Sequence, residues 1–215
     1  LATIVSSPQR AVELASCFDH EILIAPLIEA GFTTIELGGD LTLFFPSTFA
    51  PSQVENLANL KQTRNLSYTL HLPLWSVEPS TMQEPVRKGS TEAVIQIINA
   101  TKDISPEVYV LHATGSLAAE FSSMRLPDST KFMILKRFQE MAIRSIQDIL
   151  SQTQIPSRSL AIETIEFPWE LTLEIADTLN LSICLDTGHV LAGFPGYHSL
   201  TDIITQAGSR IASVH

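Results

Sequence analysis

The run Leu181-Ser-Ile-Cys-Leu-Asp-Thr-Gly-His189 holds the most chemistry in the chain. A short apolar run with a β-branched residue, ending in Asp186, reads as a buried strand that delivers a carboxylate to its C-terminal tip. Gly188 can take φ > 0, so the expectation is a sharp turn that points the His189 imidazole back toward Asp186. Alone, Asp-x-x-His describes many turn aspartates beside surface histidines. Four other strand-like runs also end in a potential ligand: Ser67-Tyr-Thr-Leu-His71, Val108-Tyr-Val-Leu-His112, Ser159-Leu-Ala-Ile-Glu163 and Arg210-Ile-Ala-Ser-Val-His215. A hydrogen-bonded histidine or a helix-capping carboxylate explains any one of these; it does not explain their recurrence at strand tips. Imidazole and carboxylate donors with no thiolate suit Zn²⁺, Mn²⁺ or Fe²⁺.

The segments between these runs must bring the tips together. Leu1 to Val5 reads as a first strand, Pro8 to Phe18 as an irregular or helical connection, and His20 to Ala30 as a helix closed by Gly31. Thr33 to Leu37 is a strand, broken by Gly38-Gly39. Helices are expected over Pro51 to Leu66, Met82 to Ala100, Asp128 to Gln152, Pro168 to Asn180 and Leu200 to Ala207. Strand and helix thus alternate through seven strand candidates, which argues for parallel βαβ units. Seven is one short of a (β/α)₈ TIM barrel, so the expected α/β fold is a single domain over 1–215 whose last strand and helix lie beyond His215.

Side-chain parity supports a barrel. Residues that share a face with the terminal ligands include Ala161, Cys184, Val110, Thr69 and Ser213, which are mostly small; the opposite face carries Leu160, Ile162, Ile183, Leu185, Tyr109, Leu111, Leu70 and Leu72. The bulky face suits a layer of helices, the small one a narrow barrel interior. C-terminal strand tips converge on one barrel mouth, so ligands far apart in sequence would meet there.

Composition excludes several classes. Over 215 residues, 45% hydrophobic and 17% charged, there is enough apolar surface for a sizeable core. No apolar run is long enough to span a bilayer, and Cys17 and Cys184 make no disulfide framework, so a cytoplasmic protein is expected. A net charge of −10 with only 13 Lys plus Arg opposes binding to a nucleic-acid backbone.

Leu-Ala-Ile-Glu163, the Cys184-Leu-Asp-Thr-Gly-His189 block, His71 in His-Leu-Pro, and the His112 and His215 strand ends together resemble the AP-endonuclease/xylose-isomerase-like TIM-barrel superfamily. In the hydrolase branch the resemblance implies one metal on His71, His112 and Glu163, and a second on Glu163, Asp186 and His215. His189 would belong to a third, whose other ligands, an Asp-x-His, would follow His215, as would a final glutamate. One to three divalent ions, Zn or Mn, are implied, with Glu163 and His189 as the catalytic side chains. Tyr68-Thr-Leu-His-Leu-Pro-Leu74, Tyr109-Val-Leu-His112 and Glu163-Thr-Ile-Glu-Phe-Pro-Trp-Glu-Leu171 further resemble the cobamide-remodelling phosphodiesterases of this superfamily, which open the nucleotide loop of a corrinoid.

The leading expectation is therefore a metal-dependent phosphodiesterase acting on a small molecule, a corrinoid being the candidate substrate. The alternative is a sugar isomerase or epimerase with one divalent ion on Glu163, Asp186 and His215, in which His189 orients substrate and His71 and His112 have less to do. A silent binding barrel would hold no metal. Trp75, Trp169 and Tyr197 in the loops beyond the tips, and Glu36 at a strand end, are the candidate substrate contacts; rim packing or an ion pair is the ordinary explanation for each.

Overall fold

The computed structural model describes residues 18–215. Six strands lie side by side in sequence order, every neighbouring pair parallel: β1 (Thr34–Gly38), β2 (Ser67–His71), β3 (Tyr109–Leu111), β4 (Leu160–Glu163), β5 (Ser182–Leu185) and β6 (Ile211–Val214). Helices return the chain between them: α1 (His20–Glu29), α2 (Pro51–Arg64), α3 (Glu84–Thr101), α4 (Ser116–Ser123), α5 (Asp128–Thr153), α6 (Trp169–Leu179), α7 (Thr187–Leu191) and α8 (Leu200–Ala207). The strand expected at Leu1 to Val5, and the connection after it as far as 17, lie outside the described residues.

The sheet is strongly curled. Laid flat, six strands would hold their outer edges about 24 Å apart. Yet His215, just past β6, reaches Glu36 of β1, with Nε2 3.0 Å from Oε2. The result is an α/β TIM-barrel-like fold, with the described strands forming an open, curled part of a barrel.

Parity sorts the two faces as expected. Leu70, Tyr109, Leu111, Leu160, Ile162 and Ile183 join Val94, Ile98, Phe138, Ile146 and Ile149 of the helices in one large apolar core. Val108, Val110, Ala161 and Cys184 form a separate small cluster on the concave side. Thr34 Oγ1 meets Ser67 Oγ at 2.9 Å, and Thr69 Oγ1 donates to Glu36 at 3.3 Å, so the concave face of β1 and β2 is polar. Arg87 of α3 is buried, yet it bonds Glu84, Ser145 and Asp148 and so ties α3 to α5.

Local stops follow residue chemistry. Gly31 takes φ 89° behind α1, and Asn65 and Asn180 take φ 51° behind α2 and α6. The expected left-handed turn at Gly188 is corrected: Gly188 lies inside α7, whose N-cap is Asp186. The carboxylate itself folds the chain back, with Oδ1 accepting from His189 N at 2.7 Å. Helix α4 carries no strong local signal, because its cap comes from far away: Glu78 Oε1 accepts from Ser116 Oγ and Leu117 N. Among the described residues no helix is long and apolar enough to cross a membrane.

Candidate metal centre

Strand β4 is buried at every residue and ends on Glu163, whose side chain is only 3% exposed. Three imidazoles reach it from β2, the tip of β3 and the tip of β6. Glu163 Oε2 lies 3.1 Å from His71 Nε2 and 2.9 Å from His112 Nε2, and Oε1 lies 3.1 Å from His215 Nδ1. The two carboxylate oxygens are thus divided between two sets of histidines. The His71 ring stands 5.2 Å from that of His112 and 6.0 Å from that of His215, centroid to centroid.

Burial pushes the Glu163 carboxyl up, but the hydrogen bonds from His112, His215 and His71 outweigh it and hold the group well below the usual carboxylate range. Burial works against charge on His71, yet its contacts with Glu163 and the Leu72 carbonyl raise it overall. His215 is pushed up to about 12 by the neighbouring Cys184, Glu163 and Glu36 side chains. All three shifts say that the pocket wants positive charge around Glu163.

The ring nitrogens say which positive charge fits. His71 Nδ1 donates to Leu72 O at 2.9 Å, so in the neutral ring Nε2 presents a lone pair to Glu163. A lone pair facing a carboxylate oxygen is repulsive unless the ring gains a proton or a cation lies between them. His215 faces a carboxylate at both nitrogens, Glu163 and Glu36, and has the same need. Histidine pinned through its far nitrogen to a backbone carbonyl is the usual preparation of a metal ligand. The donor set therefore fits divalent cations.

Three groups of donors converge within 4.8 Å, each including Glu163: His71 with His112, Asp186 with His189, and Cys184 with His215. The first is the trio expected from sequence. Asp186 and His189 also meet, with His189 Nδ1 donating to Thr164 O at 2.9 Å and lying 3.7 Å from Asp186 Oδ2. Cys184, expected on the concave face with no ligand role, has its buried thiol in the donor group of His215 and Glu163.

The four candidate substrate contacts divide. Glu36 joins the cluster through His215. Trp75 is partly exposed and lines a cavity of about 740 Å³ that opens on His112 and His189. Trp169 is corrected: it is fully buried in the core and its indole donates to Gln206 Oε1 at 2.7 Å, leaving no face for a ligand. Tyr197 is fully exposed, away from the cavity that Trp75 lines. One positioning residue escaped the sequence reading. Buried Asp40, just past β1, accepts from the backbone N–H groups of Leu74 and Trp75 and anchors the Trp75 loop beside the cluster.

Solved structures share this arrangement of strands and helices. A D-tagatose 3-epimerase-like protein superposes with a TM-score of 0.68 at 20% identity, over 92% of this chain and 72% of its own. The D-psicose 3-epimerase of Clostridium cellulolyticum gives 0.68 at 16%, over 92% and 67%. Endonuclease IV of Thermus thermophilus gives 0.65 at 17%, over 89% and 69%. At these identities the likeness is one of fold. No curated protein gives a significant sequence match. The model of one family, described as xylose isomerase-like TIM barrel, matches residues 24–215. The chain belongs to that family.

Proposed function

We propose that the cluster is the active centre of a metal-dependent phosphodiesterase, a hydrolase of small-molecule phosphodiesters. The division of Glu163 carries this reading: one oxygen faces His71 and His112, the other His215. A carboxylate engaged on both sides suits a bridge between two cations. His71, His112 and Glu163 would hold one; Glu163 and His215 a second, with Cys184 rather than the expected Asp186 as the donor that converges with them; Asp186, gathered with His189 and Glu163, would serve a third. Divalent ions, zinc or manganese, would neutralise the phosphoryl oxygens and acidify a water.

The chain's own residues supply the rest. Glu163 is a poor general base, since both oxygens are engaged and its carboxyl is strongly acidic. With Nδ1 committed to Thr164 O, His189 keeps Nε2 as a lone pair and lines the cavity. Where no third cation takes that lone pair, it can accept a proton from the nucleophile or return one to the departing oxygen. The cavity has room for one bulky arm of the diester; within this class, the nucleotide loop of a cobamide is the substrate that the sequence motifs suggest.

A sugar epimerase is the second reading, favoured by the epimerases among the structural neighbours. There one ion on Glu163, Asp186 and His215 would suffice. The chain supplied with zinc or manganese, assayed on bis(4-nitrophenyl) phosphate and on ketohexoses, separates the two. The hydrolase reading expects diester cleavage, abolished by a chelator, that His71→Ala and His112→Ala each lower at least about a hundredfold with loss of bound metal. Epimerisation untouched by those substitutions, with no diester cleavage, would replace it with the second reading.

A further inference from the structure

We infer that the centre selects phosphodiesters whose larger arm carries no second negative charge. This rests on the hydrolase reading and names its substrate class. The cavity of about 740 Å³ is the natural seat of that arm, because His112 and His189 line it. Its wall combines apolar surface from Trp75, Val77 and Ile165 with the carboxylates of Glu78, Glu120 and Glu166, and among the described residues no lysine or arginine lines it.

A nucleic-acid strand, or any oligophosphate, needs cations for each further phosphate. This wall instead presents three carboxylates, in a chain whose net charge is −10. The phosphate undergoing reaction is compensated at the centre; a second one placed in the cavity would face only acids. An uncharged arm is accepted by the apolar surface. Glu78 is held in that wall by its Oε1, which accepts from Ser116 Oγ and Leu117 N. The Glu78 carboxylate bonds to α4 and its backbone N–H to Ser90 Oγ of α3, none of them a candidate ligand, so the acidic wall is built independently of the centre.

Two ligand pairs that each differ by one phosphate test this. Thymidine 5′-(4-nitrophenyl phosphate) is compared with its 3′-phosphorylated counterpart by kcat/KM, and thymidine 5′-monophosphate with thymidine 3′,5′-bisphosphate by calorimetric Kd, all on the metal-supplied protein. The expected preference is about tenfold or more for the member lacking the second phosphate, and smaller in high salt. Glu120→Lys and Glu166→Lys, at exposed and half-buried positions, should shrink it while leaving metal content unchanged. Equal affinity for the two monoesters, preference for the bisphosphate, binding of neither, or indifference to both substitutions would overturn the inference. If neither diester is cleaved but the binding preference holds, the hydrolase reading fails and the selectivity of the cavity stands.

Discussion

Gly39→Ala probes the joint between strand tip and the proposed metal centre. Gly39 follows β1 directly, and a Cβ there would lie 2.8 Å from Pro73 Cδ and 3.0 Å from His71 O and Pro73 N. Its φ is not left-handed, so the backbone itself accepts alanine and the cost is purely steric. Ordinary contact begins near 3.4 Å, which leaves the nearest neighbour 0.6 Å too close (3.4 − 2.8). The atoms in the way are backbone and a proline ring, so they yield only by moving the segment that carries His71. Overpacking of this kind costs about 1–3 kcal/mol. At roughly 2–4 °C per kcal/mol for a chain of this size, the melting temperature should fall by about 2–12 °C. The same shift strains the 3.1 Å approach of His71 to Glu163. If a displacement of 1 Å costs about a hundredfold, 0.6 Å should weaken function at this centre by about tenfold. Thermal unfolding and competition with a fluorescent zinc chelator read the two effects. Gly89→Ala, at an exposed position of α3 where the new Cβ meets nothing within 4 Å, is the control and should stabilise by about 0.5–1 kcal/mol. A Gly39→Ala protein that melts and binds zinc like the wild type would refute the proposed close packing.

Two further outcomes follow from the same geometry. Gly115→Ala would drive a Cβ into Glu78 Oε2 and expel the carboxylate that caps α4; a loss of about 1 kcal/mol and faster amide exchange confined to Ala118 through Phe121 are expected, and unchanged exchange would count against the cap. For the metal-free protein, His71 and His215 have raised folded pKa values, about 12 for His215, so the stability they lend is fully present below their ordinary 6.5 and is lost as pH rises through the raised values. Divalent cations compete with those protons, so a fixed zinc concentration that is a hundred times its Kd at pH 8, worth about 2.7 kcal/mol there, should raise the melting temperature by about 5–10 °C, and by clearly less at pH 6, where His71 holds its proton more fully. A shift independent of pH would mean that the ion binds elsewhere.

The order of strands and the inward set of ligands are legible because both rest on a period of two. Ala161, Cys184 and Val110 are small where Leu160, Ile183 and Tyr109 are large, and that alternation orients each strand and fixes which tip residues face inward. What is not legible depends on partners far away in sequence. Trp169 stands in the first turn of the helix expected from Pro168, beside the strand tips, but α6 turns its indole into the core toward Gln206. Asp40 looks like an ordinary turn residue until Leu74 and Trp75, more than thirty residues on, place their N–H groups against it. Gly188 suggests a left-handed turn because glycine permits one, whereas the neighbouring aspartate offers the stronger interaction, a helix cap. Cys184 reads as packing by its type; only the convergence of β4, β5 and β6 sets its sulfur among ligands.

Curvature and charge are linked in this fold. β2 and β4 are separated by β3, so their backbones lie about 10 Å apart along the sheet. Side chains span that gap to 3.1 Å only if the sheet is concave at the tips. β6 and β1 are further apart along the sheet, and His215 still touches both Glu163 and Glu36. Each of these contacts sets an imidazole against a carboxylate and is strengthened by an added proton or cation; at His71 Nε2, whose ring proton sits on Nδ1, the contact is repulsive without one. Cations at the centre would therefore draw β1, β2, β4 and β6 together at one end, and the curl of the sheet and occupation of the centre should reinforce each other. The strand tips would then be both the scaffold of the proposed chemistry and a part of the molecule that its metal holds in shape.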